Sequence, residues 1–142
     1  MPIRKANASW EGNLNSGTGH MRVGSGKFDS DFSAGTRFGE EPGTNPDELL
    51  GAAYAGCFSM ALSNMLDQAG YKPKRIETSA KVHLEKIDDG FAIKRIELDT
   101  TGEVPDIDEN EFQKHVENAK ENCPVSQALT GVEKTVTSTL KR

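Results

Sequence analysis

The sequence has 142 residues, of which 27% are charged and 35% hydrophobic, and its formal net charge at pH 7 is −5. This length predicts one soluble domain covering residues 1–142, and the acidic charge argues against nucleic acids and anionic membranes as partners. The first residues lack the apolar segment of a secretory signal peptide, so we expect a cytoplasmic protein. In a reducing compartment, two cysteines are more often catalytic or redox-active than structural.

The part of the chain before residue 45 combines weak strand patterns with turns. Residues 3–10 alternate loosely and predict an edge strand. Residues 12–27 are rich in glycine, which predicts turns around a short strand near residues 20–23, and they contain no phosphate-binding motif. Residues 28–44 follow neither period and predict an irregular loop, in which Arg37 is a distinctive cation.

The stretch from Asn45 to Gly70 carries the signals of one long helix. Asn45 suits the N-cap, Pro46 suits the first helical position, and Gly70 is a natural stop. Glu48 stands where it can complete a capping box with Asn45. The helix would be roughly 39 Å long and apolar nearly all round, which predicts burial on most sides and an oligomer. Charged and amide residues interrupt the run and argue against a membrane span.

A hairpin and a helix are predicted downstream. Residues 75–88 alternate between apolar and polar side chains, and Asp88-Asp89-Gly90 is a turn sequence before a return strand that reaches Val104. A second helix, capped by Asp108 or Asn110, is predicted next.

The last part of the chain completes an α+β domain. The second helix is predicted to end at Cys123-Pro124, because a residue before proline is pushed out of the helical region. One further helical turn is expected at residues 125–129 and a final strand at residues 133–140.

Cys57 lies near the middle of the long helix. A free cysteine on an apolar helix face is commonly a packing residue, and the sequence alone favours that interpretation. Cys57 is roughly 18 Å along the axis from the cap, so the helix dipole cannot lower its pKa. If Cys57 is reactive, a cation from elsewhere has to stabilise its thiolate.

Cys123 raises the odds of redox chemistry. It stands at a helix end before a proline and far along the chain from Cys57, so the pair is no CxxC motif. The two cysteines could act as an attacking and a resolving thiol, or they could never meet.

Metal binding is not expected. Residues 106–117 imitate a calcium loop, but Glu111 stands where the turn requires glycine, and acidic residues at a helix N-terminus explain the pattern better. The histidines have no ligand spacing with each other or with the cysteines; they are His20, His83 and His115.

Three segments together resemble a known family: ASWEG near the start, TRFGEEPGTNPDELLGAAYAGCFSMALS, and NCPVSQAL downstream. Over nearly the whole chain they resemble the OsmC branch of the OsmC/Ohr hydroperoxide reductases. The resemblance implies an OsmC-like α+β fold, with antiparallel-rich sheets packed around a long central helix in an intertwined homodimer.

The same resemblance implies a set of site residues for a thiol peroxidase. Cys57 matches the peroxidatic cysteine and Cys123 the resolving cysteine, which would close a disulfide. Arg37 matches the arginine that pairs with the thiolate and polarises the peroxide. The family's carboxylate that holds this arginine falls on Asp47 here, one methylene shorter than the usual Glu, and Glu48 is next to it. Either acid could serve, and neither reaches Cys57 directly across roughly 15 Å of helix.

The resemblance further implies a substrate and partners. The expected substrates are organic hydroperoxides and, less efficiently, hydrogen peroxide, in oxidative or osmotic stress defence, with no cofactor and with a dithiol reductant such as a lipoyl protein. An apolar surround for an alkyl peroxide is expected from Phe38, Leu50, Phe58 and Met60. The alternative is a non-catalytic stress or small-ligand binding protein on the same fold, with Cys57 inert.

Overall fold

The fold has six strands and four helices along residues 1–142, all of which the computed structural model describes. The strands form two three-stranded sheets, which confirms the predicted α+β class. The chain divides into two compact units, Met1–Leu49 and Leu50–Arg142. The single domain expected from chain length stays a prediction.

The first unit is an antiparallel sheet followed by a short helix. The sheet contains β1 (Ala6–Glu11), β2 (Thr18–Val23) and β3 (Asp29–Phe32) in that order. The ring centres of Trp10 and Phe32 lie 5.5 Å apart. A Cβ at Gly19, between them, would lie 2.6 Å from both rings, so only glycine fits there.

The prediction of an irregular loop over residues 28–44 was wrong, because this segment contains β3 and a helix, α1 (Ala34–Phe38). The Asp-rich β3 has low strand propensity, and its pairing with β2 overrides that preference. A capping box begins α1: Ser33 Oγ accepts from the Thr36 amide at 3.2 Å, and Thr36 Oγ1 accepts from the Ser33 amide at 2.9 Å. Neither signal follows the hydrophobic period.

The long helix α2 (Pro46–Gln68) forms nearly where it was predicted. Asn45 Oδ1 accepts from the Glu48 amide at 2.8 Å, which is one half of the expected capping box. Beyond its end, Gly70 has a φ of +94°, a backbone conformation that favours glycine.

The second unit places α2 on a mixed sheet. β4 (Arg75–Ile87) and β5 (Gly90–Glu103) form the predicted antiparallel hairpin, and β6 (Glu133–Lys141) pairs with β5 in parallel. The connection from β5 to β6 runs through α3 (Glu109–Asn122) and α4 (Pro124–Ala128). A helical crossover of this kind returns the chain in the same direction. The core contains large apolar side chains of α2, β5 and α3, including Tyr54, Phe58, Leu62, Leu66, Ile96, Leu98, Phe112 and Val116.

One face of α2 is exposed in the single chain, although burial nearly all round was predicted. Ala52, Ala53 and Gly56 are exposed, and 76% of Met60 is accessible. By length and apolar composition alone, α2 is also the one helix that could cross a bilayer. The core helix of a soluble protein gives the same signal.

Candidate active site

Arg37 and Asp47 form a two-pronged ion pair in the first unit. Arg37 lies in the last turn of α1, and Asp47 lies in the first turn of α2. The Arg37 Nε donates to Asp47 Oδ2 at 3.0 Å, and its Nη2 donates to Oδ1 at 3.2 Å. Asp47 is only 7% exposed. A carboxylate this deeply buried requires such a partner, and the planar fork fixes the orientation of the guanidinium.

The carboxylate that holds Arg37 is therefore Asp47, and not Glu48. Glu48 is exposed and contributes its backbone amide to the helix cap. Asn45 joins the two helices, because its Nδ2 donates to the carbonyl of Thr36 at 3.0 Å while its Oδ1 caps α2. The residue just before Arg37 is thus tied to the start of α2, and the shorter aspartate reaches the guanidinium.

An open pocket of about 510 Å³ lies beside Arg37 in the first unit. Trp10, Leu14 and Phe32 contribute much of its apolar lining, together with Phe38. The Arg37 guanidinium carbon stands 5.4 Å from the centre of the Phe38 ring. The pocket thus combines a mainly apolar lining with one cationic side chain, that of Arg37.

The other three expected lining residues, Leu50, Phe58 and Met60, do not line this pocket. Phe58 is completely buried in the core of the second unit, so its ring is not available to a substrate. Met60 is on the exposed face of α2.

Cys57 and Cys123 meet in the second unit. Cys57 is half-buried on α2, whereas Cys123 is 1% exposed at the junction between α3 and α4. Both are free thiols, and their side chains are close enough for Cys57 to raise the pKa of Cys123. The sequence left open whether the two cysteines meet or stay apart. The fold brings them together.

The surroundings of Cys123 favour its neutral form. Burial raises the pKa of the Cys123 thiol, and the neighbouring Cys57 side chain raises it further. The backbone amides of Ser126 and Val125 act in the opposite direction, although they form no capping hydrogen bond with the sulfur. Cys123 is therefore a protonated thiol at neutral pH and can donate to the sulfur of Cys57.

Two residues beside Cys123 were missed from the sequence. Tyr54 is fully buried, and its hydroxyl donates to the carbonyl of Lys120 at 3.4 Å. Burial raises the pKa of Tyr54, and hydrogen bonding by the Ser126 side chain lowers it by a smaller amount. The available signal was a tyrosine one turn before Cys57 on an apolar helix face, since a buried phenol hydroxyl requires a polar partner.

The acidic segment at residues 106–117 has a structural role. Asp108 caps α3, and its Oδ1 accepts from the Glu111 amide at 2.8 Å. The apparent calcium-loop pattern is therefore a helix start.

The sequence of this chain matches the OsmC-like protein family over residues 39–138. The chain therefore belongs to the OsmC-like family, as its motifs implied. Peroxiredoxin OsmC of Escherichia coli strain K12 is 48% identical over 127 residues, which cover 89% of each chain. The organic hydroperoxide resistance protein OhrB of Bacillus subtilis is 30% identical over 115 residues, which cover 80% of this chain and 82% of that protein.

Solved structures have the same fold. The crystal structure of Bacillus subtilis OhrB has a TM-score of 0.68 at 29% identity and covers 96% of this chain and 98% of that chain. An organic hydroperoxide resistance protein from Legionella pneumophila has a TM-score of 0.71 at 24% identity, with both chains fully covered. These neighbours confirm the predicted OsmC-like fold.

Proposed function

We propose that this protein is a thiol peroxidase that reduces organic hydroperoxides, with Cys57 as the peroxidatic and Cys123 as the resolving cysteine. The observation that carries the proposal is the proximity of two free thiols that come from distant parts of the chain. The relationship to a peroxiredoxin and to organic hydroperoxide resistance proteins supports the same activity.

In the first step, the Cys57 thiolate attacks the distal oxygen of the hydroperoxide ROOH. The O–O bond breaks, the sulfur becomes a sulfenic acid, and the alkoxide takes a proton and leaves as ROH. We propose Arg37 as the cation that stabilises the thiolate and the developing alkoxide. The ion pair with Asp47 supports this role, because it orients the guanidinium and leaves other N–H donors for the substrate.

In the second step, the Cys123 sulfur attacks the Cys57 sulfenic sulfur. A disulfide bond forms, the S–O bond breaks, and hydroxide leaves with the proton of Cys123 as water. The high pKa of Cys123 suits this division of roles, because a protonated Cys123 does not compete with Cys57 for peroxide.

A dithiol then returns the enzyme to its starting state by thiol–disulfide exchange. One thiolate of the dithiol attacks the disulfide, and its second thiol releases the mixed disulfide. We propose a lipoyl protein as the dithiol, as the family resemblance implies. Two free thiols also suit a reducing, cytoplasmic location and a part in stress defence.

The proposed substrate class follows from the pocket beside Arg37. Its aromatic and aliphatic walls suit an alkyl or aryl tail, and its single cation suits the peroxide group. Hydrogen peroxide has no tail to bury, so it gains less from this pocket.

We also propose a homodimer. The exposed side of α2 has small residues at Ala52, Ala53 and Gly56 beside the large, accessible Met60. Small side chains let a second helix approach closely, and an exposed apolar helix face is commonly an interface. Arg37 would then serve Cys57 either of its own chain or of the partner subunit.

The proposal is tested by mass spectrometry after one equivalent of tert-butyl hydroperoxide. We expect one disulfide between Cys57 and Cys123 within a chain, and a Cys57 sulfenic acid that dimedone traps in the Cys123→Ser variant. The alternative, a non-catalytic binding protein with an inert Cys57, predicts two untouched thiols. That result would refute the peroxidase.

A further inference from the structure

Tyr54 holds the polypeptide on both sides of Cys123. It lies on α2 one turn before Cys57, and it is completely buried. Its hydroxyl donates to the carbonyl of Lys120, near the end of α3, at 3.4 Å, and the side chain of Ser126 in α4 lies close enough to lower its pKa as a hydrogen-bonding neighbour. Ser126 is itself 1% exposed. One phenol group therefore bridges the corner at whose centre Cys123 stands.

The corner around Cys123 needs such a bridge. Cys123 is the residue at which α3 ends and α4 begins, and its backbone is extended, with φ −67° and ψ 145°. Pro124 follows and supplies no amide donor. The far side of α4 is held separately, because Lys134 Nζ donates to the carbonyls of Ser126 and Leu129 at 3.0 and 2.8 Å. Tyr54 is the link that reaches the corner from the helix bearing Cys57.

We infer that Tyr54 is a positioning residue for the resolving step, in which its hydroxyl keeps the Cys123 sulfur against Cys57. The inference rests on the proposed peroxidase function. In that step the Cys123 sulfur displaces hydroxide from the Cys57 sulfenic acid and forms the disulfide while water is released. Displacement requires the attacking sulfur to lie opposite the S–O bond, and small misplacements slow such reactions steeply. The role inferred for Tyr54 is exerted through the Cys123 sulfur and involves no contact with the peroxide or the sulfenic oxygen.

The competing interpretation is that Tyr54 is an apolar core residue whose ring alone matters. The two interpretations differ in what the hydroxyl does. Tyr54→Phe keeps the ring in the core and removes the hydrogen bonds to Lys120 and Ser126. Ser126→Ala removes one of those bonds from the other end and leaves Tyr54 intact.

The test separates the two steps in single-turnover reactions with tert-butyl hydroperoxide, quenched in acid and measured by mass spectrometry. For Tyr54→Phe we expect an unchanged rate of Cys57 oxidation and a disulfide formation rate that is about 5- to 100-fold lower, since each of the two lost hydrogen bonds contributes roughly 2- to 10-fold. With excess peroxide the longer-lived sulfenic acid should yield more Cys57 sulfinic acid. Ser126→Ala should also lower the rate of disulfide formation. The double variant should be little slower than Tyr54→Phe, because Tyr54→Phe already removes the bond to Ser126.

Tyr71→Phe is the matched control, because Tyr71 is the other tyrosine of the chain and also packs against the core. It should leave both rates unchanged. Disulfide formation at the parent rate in Tyr54→Phe and Ser126→Ala, or equal slowing of both steps, would overturn the inference. If circular dichroism finds Tyr54→Phe unfolded, Ser126→Ala decides alone. If the parent protein forms no sulfenic acid at all, the proposed function fails first.

Discussion

Both carboxylate oxygens of Asp47 accept hydrogen bonds from the Arg37 guanidinium, at 3.0 and 3.2 Å. The carboxylate is nearly inaccessible, whereas about a third of the arginine side chain is exposed. Asp47 is therefore held inside the protein, whereas part of the Arg37 side chain faces solvent. This arrangement suits a cation that is fixed from behind and presents donors to a substrate.

Removing the charge of Asp47 should weaken both the fold and the proposed activity. Asp47→Asn keeps the shape but directs an amide group at the donors of Arg37, so hydrogen bonds are lost around a buried group. We expect the free energy of unfolding to fall by about 1–3 kcal/mol. We also expect kcat/KM for cumene hydroperoxide to fall by a factor of about ten or more, because the guanidinium loses its orientation. Urea unfolding and a coupled peroxidase assay measure the two effects.

Glu48→Gln is the control for this prediction. Glu48 is the neighbouring carboxylate but is exposed, so its change should shift stability by no more than about 0.5 kcal/mol and leave turnover intact. A larger loss of activity in Glu48→Gln than in Asp47→Asn would contradict the assignment of Asp47.

Arg37 itself should matter through its fork as well as its charge. Arg37→Ala removes the proposed electrostatic partner of the thiolate and should lower kcat/KM by about 10²–10³-fold, the usual effect of losing such a donor. Arg37→Lys keeps the charge but cannot make the two parallel bonds to Asp47, so we expect an intermediate loss. Arg75→Ala is the control, because Arg75 pairs with Glu77 in an exposed ion pair. If Arg37→Ala and Arg37→Lys are as active as Arg75→Ala, Arg37 has no part in the mechanism.

Local patterns in the sequence predicted much of this fold, and non-local contacts account for what they missed. The caps at Asn45 and Gly70 specify α2 within a few residues, and period-two alternation specifies β4. The alternation of apolar and polar residues does not predict whether β6 runs parallel or antiparallel to β5, because side chains alternate in the same way in both kinds of strand. The strand β3 depends on pairing with β2, which outweighs its two aspartates.

The candidate site residues were drawn from the sequence in a different way, and their roles stay predictions. The identities of Cys57, Cys123 and Arg37 came from family motifs, whereas their spacing says nothing of contact. The choice of Asp47 over Glu48 required the fold of α1, which no hydrophobic period indicated. Tyr54 was hidden because a tyrosine on an apolar helix face resembles any other core residue.

The proposed dimer gives a prediction at Gly56. A Cβ built on Gly56 has no atom within 4 Å in the single chain, so Gly56→Phe should leave each subunit folded. If a second copy packs on α2, the phenylalanine ring blocks the close approach of the helices. We expect light scattering after size exclusion to show a dimer for the parent protein and a monomer for Gly56→Phe at micromolar concentration.

The matched control for Gly56→Phe is Gly131→Phe, because a Cβ at Gly131 also meets nothing within 4 Å. Gly131 lies in the turn before β6 and outside the exposed face of α2. This variant should stay dimeric. A dimer in both variants would show that the subunits associate through another surface.

His20 should make the first sheet sensitive to pH. Its Nδ1 contacts Asp31 Oδ1 at 2.7 Å, and its Nε2 contacts Asp29 Oδ1. These hydrogen bonds, with Asp31 first, raise the pKa of His20 above 6.5. A raised pKa means that the protonated form is stabilised by folding, so the contribution is complete below pH 6.5. It is lost as the pH rises through the higher pKa of the folded state.

An NMR titration of the His20 ring, assigned by comparison with His20→Asn, measures this pKa directly. We expect a midpoint above 6.5 in the parent protein and a lower one in Asp31→Asn, which loses the principal carboxylate partner. The difference in unfolding free energy between the parent and His20→Asn should be larger at pH 6 than at pH 9, because only the imidazolium is held by both aspartates. A midpoint at or below 6.5, or a stability difference that grows with pH, would show that the two aspartates do not stabilise the charged ring.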